Sequence, residues 1–126
     1  MHVEVRENGL RDTWTFWYGF TIKDGERIIK NSTVRHPRTF IGEVLRDDGK
    51  LEYYLVVADG RRSDSLGFTH DFEGELLFNK GCWIAYNLDG GGSSEMMFDG
   101  KILNIPSDGQ ERWDHDFIYF ELWGGI

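Results

Sequence analysis

The chain has 126 residues, of which 40% are hydrophobic and 15% aromatic, with a formal charge of −8 and a single cysteine. That length fits one domain over residues 1–126, with a real core but no room for two. The hydrophobic content excludes a disordered chain; the acidity argues against nucleic acid as a partner; and Cys82 alone permits neither an intrachain disulfide nor a cysteine-based zinc site.

The first ten residues, MHVEVRENGL, are charged throughout, so they do not read as a signal peptide, and no apolar run is long enough to span a membrane. Thr13 to Ile22 is rich in aromatic and β-branched residues and reads as a strand. Lys23-Asp24-Gly25-Glu26 is a turn from which Arg27 to Ile29 returns. His36-Pro37 leads in extended form into a strand over Thr39 to Leu45. Asp47-Asp48-Gly49-Lys50 is a second hairpin turn, and Leu51 to Ala58 follows as a nearly continuous apolar strand, expected to be central. Asp59 to Phe68 is a polar loop. Thr69 can cap a helix to about Lys80, with Asp71 and Glu73 near its positive end and Gly81 as its stop. Cys82 reads as a buried thiol before a buried strand over Trp83 to Leu88. Met96 to Phe98 is extended, Asp99-Gly100 turns into Ile102-Leu103, and Phe117 to Leu122 is the last strand. The fold class is α+β, a mainly antiparallel or mixed sheet with one short packed helix.

The most specific feature is Asn87-Leu88-Asp89-Gly90-Gly91-Gly92-Ser93-Ser94. Three glycines in a row cost backbone entropy, and they let a ligand approach the main chain, whose successive amides can form an anion-binding nest. Ser93 and Ser94 add donors, and Asp89 stands at the end of an apolar strand, where a carboxylate is expected to be partly desolvated. No Gly-Lys-Ser/Thr follows, so the run is not a P-loop; no helix follows, so it is not a dinucleotide fingerprint. A plain solvated turn competes evenly with an anion site when the glycines are taken alone. Asp59-Gly60-Arg61-Arg62 also follows an apolar strand, and an arginine there can clamp a phosphate bidentately or merely neutralise local carboxylates. Arg38 stands at the mouth of a third strand, as a functional charge or as an edge-strand charge.

These runs, in this order, resemble the phosphodiester glycosidase family. The likeness rests on Arg38 to Gly42, Val57 to Arg61, Ser65 to Thr69, Asn87 to Ser94, and the Asn-x-Pro-Ser-Asp-Gly-x-Glu-Arg segment from Asn104 to Arg112. It covers roughly Tyr18 to Phe120. Relatives carry more chain upstream, including an Asn-Gly-Gly-Phe-Phe motif of which Asn8-Gly9-Leu10 is a remnant, so the chain is expected to be short at its N-terminus. Glu95 stands where relatives have a small or hydroxyl residue.

The resemblance implies hydrolysis of a sugar-1-phosphodiester on a glycan or cell-envelope substrate, without a cofactor. Asp89 is the first choice for a catalytic carboxylate and Asp59 the second. Arg38 and Arg61 would clamp phosphate, and Thr39, Ser65, Asn87, Gly90, Gly91, Gly92, Ser93, Ser94 and Asn104 would bind substrate. The rival reading is a catalytically inactive module that binds carbohydrate or phosphate. His36 and His115 are weaker candidates; Trp113-Asp114-His115-Asp116 reads more readily as a solvated turn than as a metal site. His2 and His70 read as surface residues. The tryptophans divide between core packing and sugar stacking, with Trp113 nearest the proposed site, while Met96 and Met97 read as core. An exposed sheet edge would favour a homodimer. Relatives are often secreted or envelope-associated, but nothing in the chain addresses it to a compartment.

Overall fold

A computed structural model describes residues 19–113 and 117–120. The expectations for Thr13–Tyr18, Asn8-Gly9-Leu10, His2, His115, Trp14, Trp17 and Trp123 lie outside those residues. Five strands form one sheet: β1 (Gly19–Lys23), β2 (Glu26–Arg27), β3 (Arg38–Leu45), β4 (Leu51–Ala58) and β5 (Ile84–Asn87). Their order is β2-β1-β5-β3-β4, and every pairing is antiparallel. A separate hairpin joins β6 (Met97–Phe98) to β7 (Lys101–Ile102), and one α-helix, α1 (His70–Asn79), completes the described elements. The fold is α+β, mainly antiparallel sheet with one helix.

Local chemistry explains the turns. Asp24-Gly25 has φ values of 53° and 79°, and Asp99-Gly100 has 49° and 72°. Two consecutive left-handed residues make the tight hairpin turn whose twist matches the strands, so both Asp-Gly pairs fold back within two residues. At α1, the Thr69 Oγ1 accepts from the Phe72 amide at 3.2 Å. At the other end, Gly81 has φ 86°, its amide donates to the Phe78 carbonyl at 2.9 Å, and the Cys82 amide donates to the Leu77 carbonyl at 3.0 Å. That pair of bonds is the glycine-terminated helix stop. Replacing Thr69 by alanine strands the Phe72 amide. It should lower stability by about 1 kcal/mol in urea denaturation; an unchanged midpoint would show the cap to be idle.

The core lies between the sheet and α1: Ile22, Phe40, Leu77, Cys82 and Ala85 are buried together, with Val44, Tyr54, Val56, Phe68 and Leu76 packed around them. Gly74, an unfavourable helix residue on propensity alone, lets α1 lie on β1: a β-carbon there would stand 3.2 Å from the Thr21 carbonyl oxygen. Asp71 accepts from the amides of Lys30 (2.8 Å) and Ser32 (2.9 Å), tying the chain after β2 to the helix.

Three expectations are corrected. β4 is not central: it pairs with β3 alone among the described residues and stands at the edge of the sheet. Its apolar run is spent on a half-open surface, with Leu51 and Leu55 both more than 40% exposed. Residues 117–120 carry no strand, although Phe120 stacks at a tilt on Tyr53 with ring centroids 5.9 Å apart; Glu121 and Leu122 lie outside the described residues. Met97 is exposed on its short hairpin and is not part of the core.

Candidate active site

Antiparallel pairing gathers the sequence motifs. β3 runs opposite to both neighbours, with Arg38 beside Ala58 and Phe40 beside Asn87. The start of β3 and the ends of β4 and β5 therefore share one end of the sheet, which brings the segments around His36, Asp59 and Asp89 together there. His36-Pro37 forms the floor. The His36 amide and carbonyl bond both ways with Phe68 (3.2 and 3.0 Å), and the Pro37 carbonyl accepts from the Gly91 amide at 3.0 Å. Gly67 has φ 91°, and a β-carbon there would collide with the His36 carbonyl. One at Gly90 would stand 2.7 Å from the Pro37 oxygen. The loop glycines thus serve close main-chain packing as well as access.

The glycine loop is less bare than its sequence implies. Gly91–Ser93 winds into a short 3-10 turn. Gly90 donates to the Asp89 Oδ1 (2.8 Å), Ser93 to the Gly90 carbonyl (3.3 Å), and Ser94 to the Gly91 carbonyl (3.2 Å). With Gly91 bonded to Pro37, the Gly92 amide is the one left without an acceptor among the described residues, so the expected nest of open amides is not formed. Asp89 is exposed, not partly desolvated. Ser94 is 1% exposed and its Oγ has no partner among the described residues, as is also true of the Thr39 Oγ1 and the Asn87 Oδ1. The Asn87 Nδ2 donates to the Leu88 carbonyl at 3.0 Å.

The two arginines expected to act together differ sharply. Arg61 sits in left-handed backbone, φ 57°, a conformation uncommon for residues other than glycine, asparagine and aspartate. Its guanidinium lies over Gly91, with Nη1 and Nη2 each 3.4 Å from where a β-carbon would be. Arg38 is 8% exposed and faces the helix side of the sheet. Its Nε donates to the Phe68 carbonyl (3.0 Å), its Nη1 to the His70 Nε2 (3.0 Å), and its Nη2 to the Val34 carbonyl (3.5 Å), and its Nε stands 3.6 Å from Glu73. Arg38 therefore lies beneath the site, with its donors committed. Both arginine charges still bear on His36, whose pKa burial lowers first and the two guanidiniums lower further.

His70, read as a surface residue, is instead half-buried against Arg38. An arginine can only donate, so the His70 Nε2 must accept, which places the imidazole proton on Nδ1, 3.7 Å from the Glu73 Oε2. Burial and then Arg38 lower the His70 pKa to about 4. Glu73 is fully buried, with no hydrogen-bond partner for either oxygen among the described residues, and burial raises its pKa to about 8 against the pull of Arg38.

Asp59 and Asn104 form a clamp. The Asp59 carboxylate accepts from the Asn104 Nδ2 (3.1 Å) and from the Ile105 amide (3.1 and 3.2 Å). The Asn104 Nδ2 also donates to the Ser94 carbonyl (2.7 Å), and its Oδ1 accepts from the Met96 amide (2.8 Å). Ser65 closes its own loop by donating to the Asp59 carbonyl at 2.8 Å. These bonds lock the 104–112 segment to the glycine loop and occupy the polar atoms of Asn104. Farther along, Arg112 Nη1 pairs with Asp108 Oδ2 at 3.3 Å, directly above Gly92. The whole motif from Asn104 to Arg112 was legible in the sequence, but the contacts that Asp108 and Arg112 make over Gly92 were not. Trp113 is fully exposed. Among the described residues no three His, Cys, Asp or Glu side chains gather, and no helix is long and apolar enough to cross a membrane. Concavities of about 450 Å³ at the Val44–Asp48 turn and about 330 Å³ between Arg35 and the start of α1 lie away from this site. The first of these is the outside of a hairpin and gathers no such chemistry.

Fold and site together define an α+β protein whose strand ends carry a carboxylate, a glycine-serine loop and an overlying arginine. The chain belongs to the phosphodiester glycosidase family, which matches residues 3–121. It is 44% identical over 79 residues to the SPbeta prophage-derived uncharacterized protein YomE of Bacillus subtilis (strain 168), a match spanning 63% of this chain and 12% of that protein. It is also similar to the catalytic domain of zebrafish N-acetylglucosamine-1-phosphodiester α-N-acetylglucosaminidase, auto-inhibited by its pro-peptide. The TM-score is 0.57 and the identity 25%, over 70% of this chain and 33% of that one.

Proposed function

We propose that this chain hydrolyses a sugar-1-phosphodiester at the ledge formed by Asp89, the glycine loop and Arg61. The reading is carried by one observation: the Arg61 guanidinium lies over Gly91, two residues from Asp89, in a chain of this family. The zebrafish relative, named for cleaving an N-acetylglucosamine-1-phosphodiester, favours the same substrate class. Arg61 pairs with a phosphate oxygen and neutralises charge on the leaving group. The bond from the sugar C1 to the phosphate oxygen breaks, and the phosphomonoester departs with the bonding electrons. Water adds to C1 through an oxocarbenium-like state, and Asp89 accepts the water proton. The exposed Asp89 suits contact with solvent water. The Gly92 amide, without an acceptor among the described residues, is the loop group with capacity for a substrate oxygen.

The exposure of Asp89 and the largely satisfied loop amides favour a second reading, a module that binds carbohydrate or phosphate without turnover. Incubation with uridine diphosphate N-acetylglucosamine separates the two. Hydrolysis releases free N-acetylglucosamine in amounts that grow with time and enzyme. Saturable binding with no free sugar would leave the module, and neither binding nor release would remove both.

A further inference from the structure

We infer that Arg112 is the second half of the phosphate clamp, reaching the glycine loop at Gly92 as Arg61 reaches it at Gly91. This rests on the phosphodiester reading and replaces Arg38 as the partner of Arg61. Arg112 Nη1 stands 2.7 Å from where a β-carbon on Gly92 would be, and the Asp108 carboxylate would collide with that atom. The Asp108–Arg112 pair therefore lies directly on the Gly92 main chain, as Arg61 lies on that of Gly91. Neighbouring Cα atoms are 3.8 Å apart, so the two guanidiniums are at most roughly 13 Å apart, a gap that two long, part-exposed side chains can close on one phosphate.

Arg112 is also held where a clamp needs it. Its own amide donates to the Glu95 Oε1 at 3.3 Å, and the segment that carries it is anchored at Asn104 to the Ser94 carbonyl and the Met96 amide. Its backbone is thus fixed to the loop at two points, while the guanidinium stays half-exposed. Asp108 takes one contact, from Nη1, and among the described residues no acceptor engages Nε or Nη2. The fork that binds a phosphate oxygen pair is open.

Three other arginines are spoken for. Arg38 has its Nε and both terminal nitrogens committed. Arg62 is held bidentately by Asp64 at 2.8 and 2.7 Å. Arg46 pairs with Asp48 and Glu52 on the far hairpin. Glu95, which stands where relatives carry a smaller residue, acquires a role here as the acceptor that seats Arg112. Asp108 holds the guanidinium in the absence of ligand and competes with an arriving phosphate for it.

The test is calorimetric titration of the whole chain with inorganic phosphate, uridine diphosphate N-acetylglucosamine and free N-acetylglucosamine. Arg112→Gln should weaken both phosphate-bearing ligands tenfold or more, while Arg62→Gln, the same charge change at a paired arginine, stays within twofold. Arg112→Lys keeps the charge but loses the fork and should fall between. Asp108→Asn removes the competitor and should tighten phosphate severalfold. Equal urea midpoints for wild type and variants confirm that binding, not folding, is being read. If Arg112→Gln binds phosphate like wild type while Arg61→Gln loses it, the Arg112 assignment falls and the phosphodiester reading stands. If the wild type binds neither phosphate nor the diester, both fall together.

Discussion

Asp89→Asn should slow release of sugar from a 1-phosphodiester by roughly 10²–10⁴-fold, the usual contribution of a general base or acid. The amide keeps the shape of the carboxylate, and a side-chain oxygen can still accept from the Gly90 amide, as Asp89 Oδ1 does at 2.8 Å. The loop should therefore persist, and removing a negative charge two residues from the Gly91 that Arg61 covers should leave phosphate affinity equal or higher. The signature is a fall in kcat with little change in KM. Asp59 is the informative control, because its carboxylate is engaged by Asn104 and by the Ile105 amide. Asp59→Asn should act through the clamp, lowering stability by about 1–3 kcal/mol and activity in proportion. A fully active Asp89→Asn enzyme would remove Asp89 from the chemistry; an Asp59→Asn variant as stable as wild type but inactive would exchange the two roles.

The second large effect is a fall in stability from pH 6.5 to 8, set by the buried cluster of Arg38, His70 and Glu73. Burial raises the Glu73 pKa from 4.5 to about 8. Between those values the folded chain holds a proton that the unfolded chain has lost, so stability declines as pH rises. Burial and Arg38 lower the His70 pKa from 6.5 to about 4. Between those values the unfolded chain holds the extra proton, so stability rises with pH. The two slopes oppose each other from about 4.5 to 6.5 and nearly cancel. Above 6.5 only Glu73 contributes, and the loss by pH 8 should be about 2 kcal/mol at 1.36 kcal/mol per pH unit. Lys30, Arg38, Asp71 and His36 are the other charges acting on the cluster. Urea denaturation at stepped pH reads the slope directly. Glu73→Gln mimics the protonated acid and should flatten the profile above pH 6.5; a wild-type profile that rises there would mean Glu73 is ionised in the fold, as its closeness to Arg38 alone would favour.

The cluster also illustrates what a sequence hides. Thr69-His70-Asp71-Phe72-Glu73 reads as a capped helix with acids at its positive end, and Thr69 does cap it. But Asp71 serves the chain after β2, and Glu73 points into the core. Nothing near Glu73 in the sequence announces burial, because Arg38 and the sheet that α1 packs on are distant in sequence. Arg38 shows the same limit. Its place at the mouth of β3 was legible, yet the face it takes follows from sharing the side of Phe40, and that side is the one covered by α1.

Sequence alone determined the elements that depend on near neighbours: the three Asp-Gly hairpins, the Thr69 cap, the Gly81 stop, the strand spans of β3 and β4, and the family-specific runs at their ends. Each is fixed by backbone chemistry within a few residues. Tertiary structure alone decided which strand lies at the edge, which guanidinium is sunk beneath the loop and which lies over it, and which loop amides are already bonded. Those outcomes turn on pairings between distant segments, β3 with β5 and the 104–112 segment with Ser94 and Asp59, whose partners local propensity does not specify.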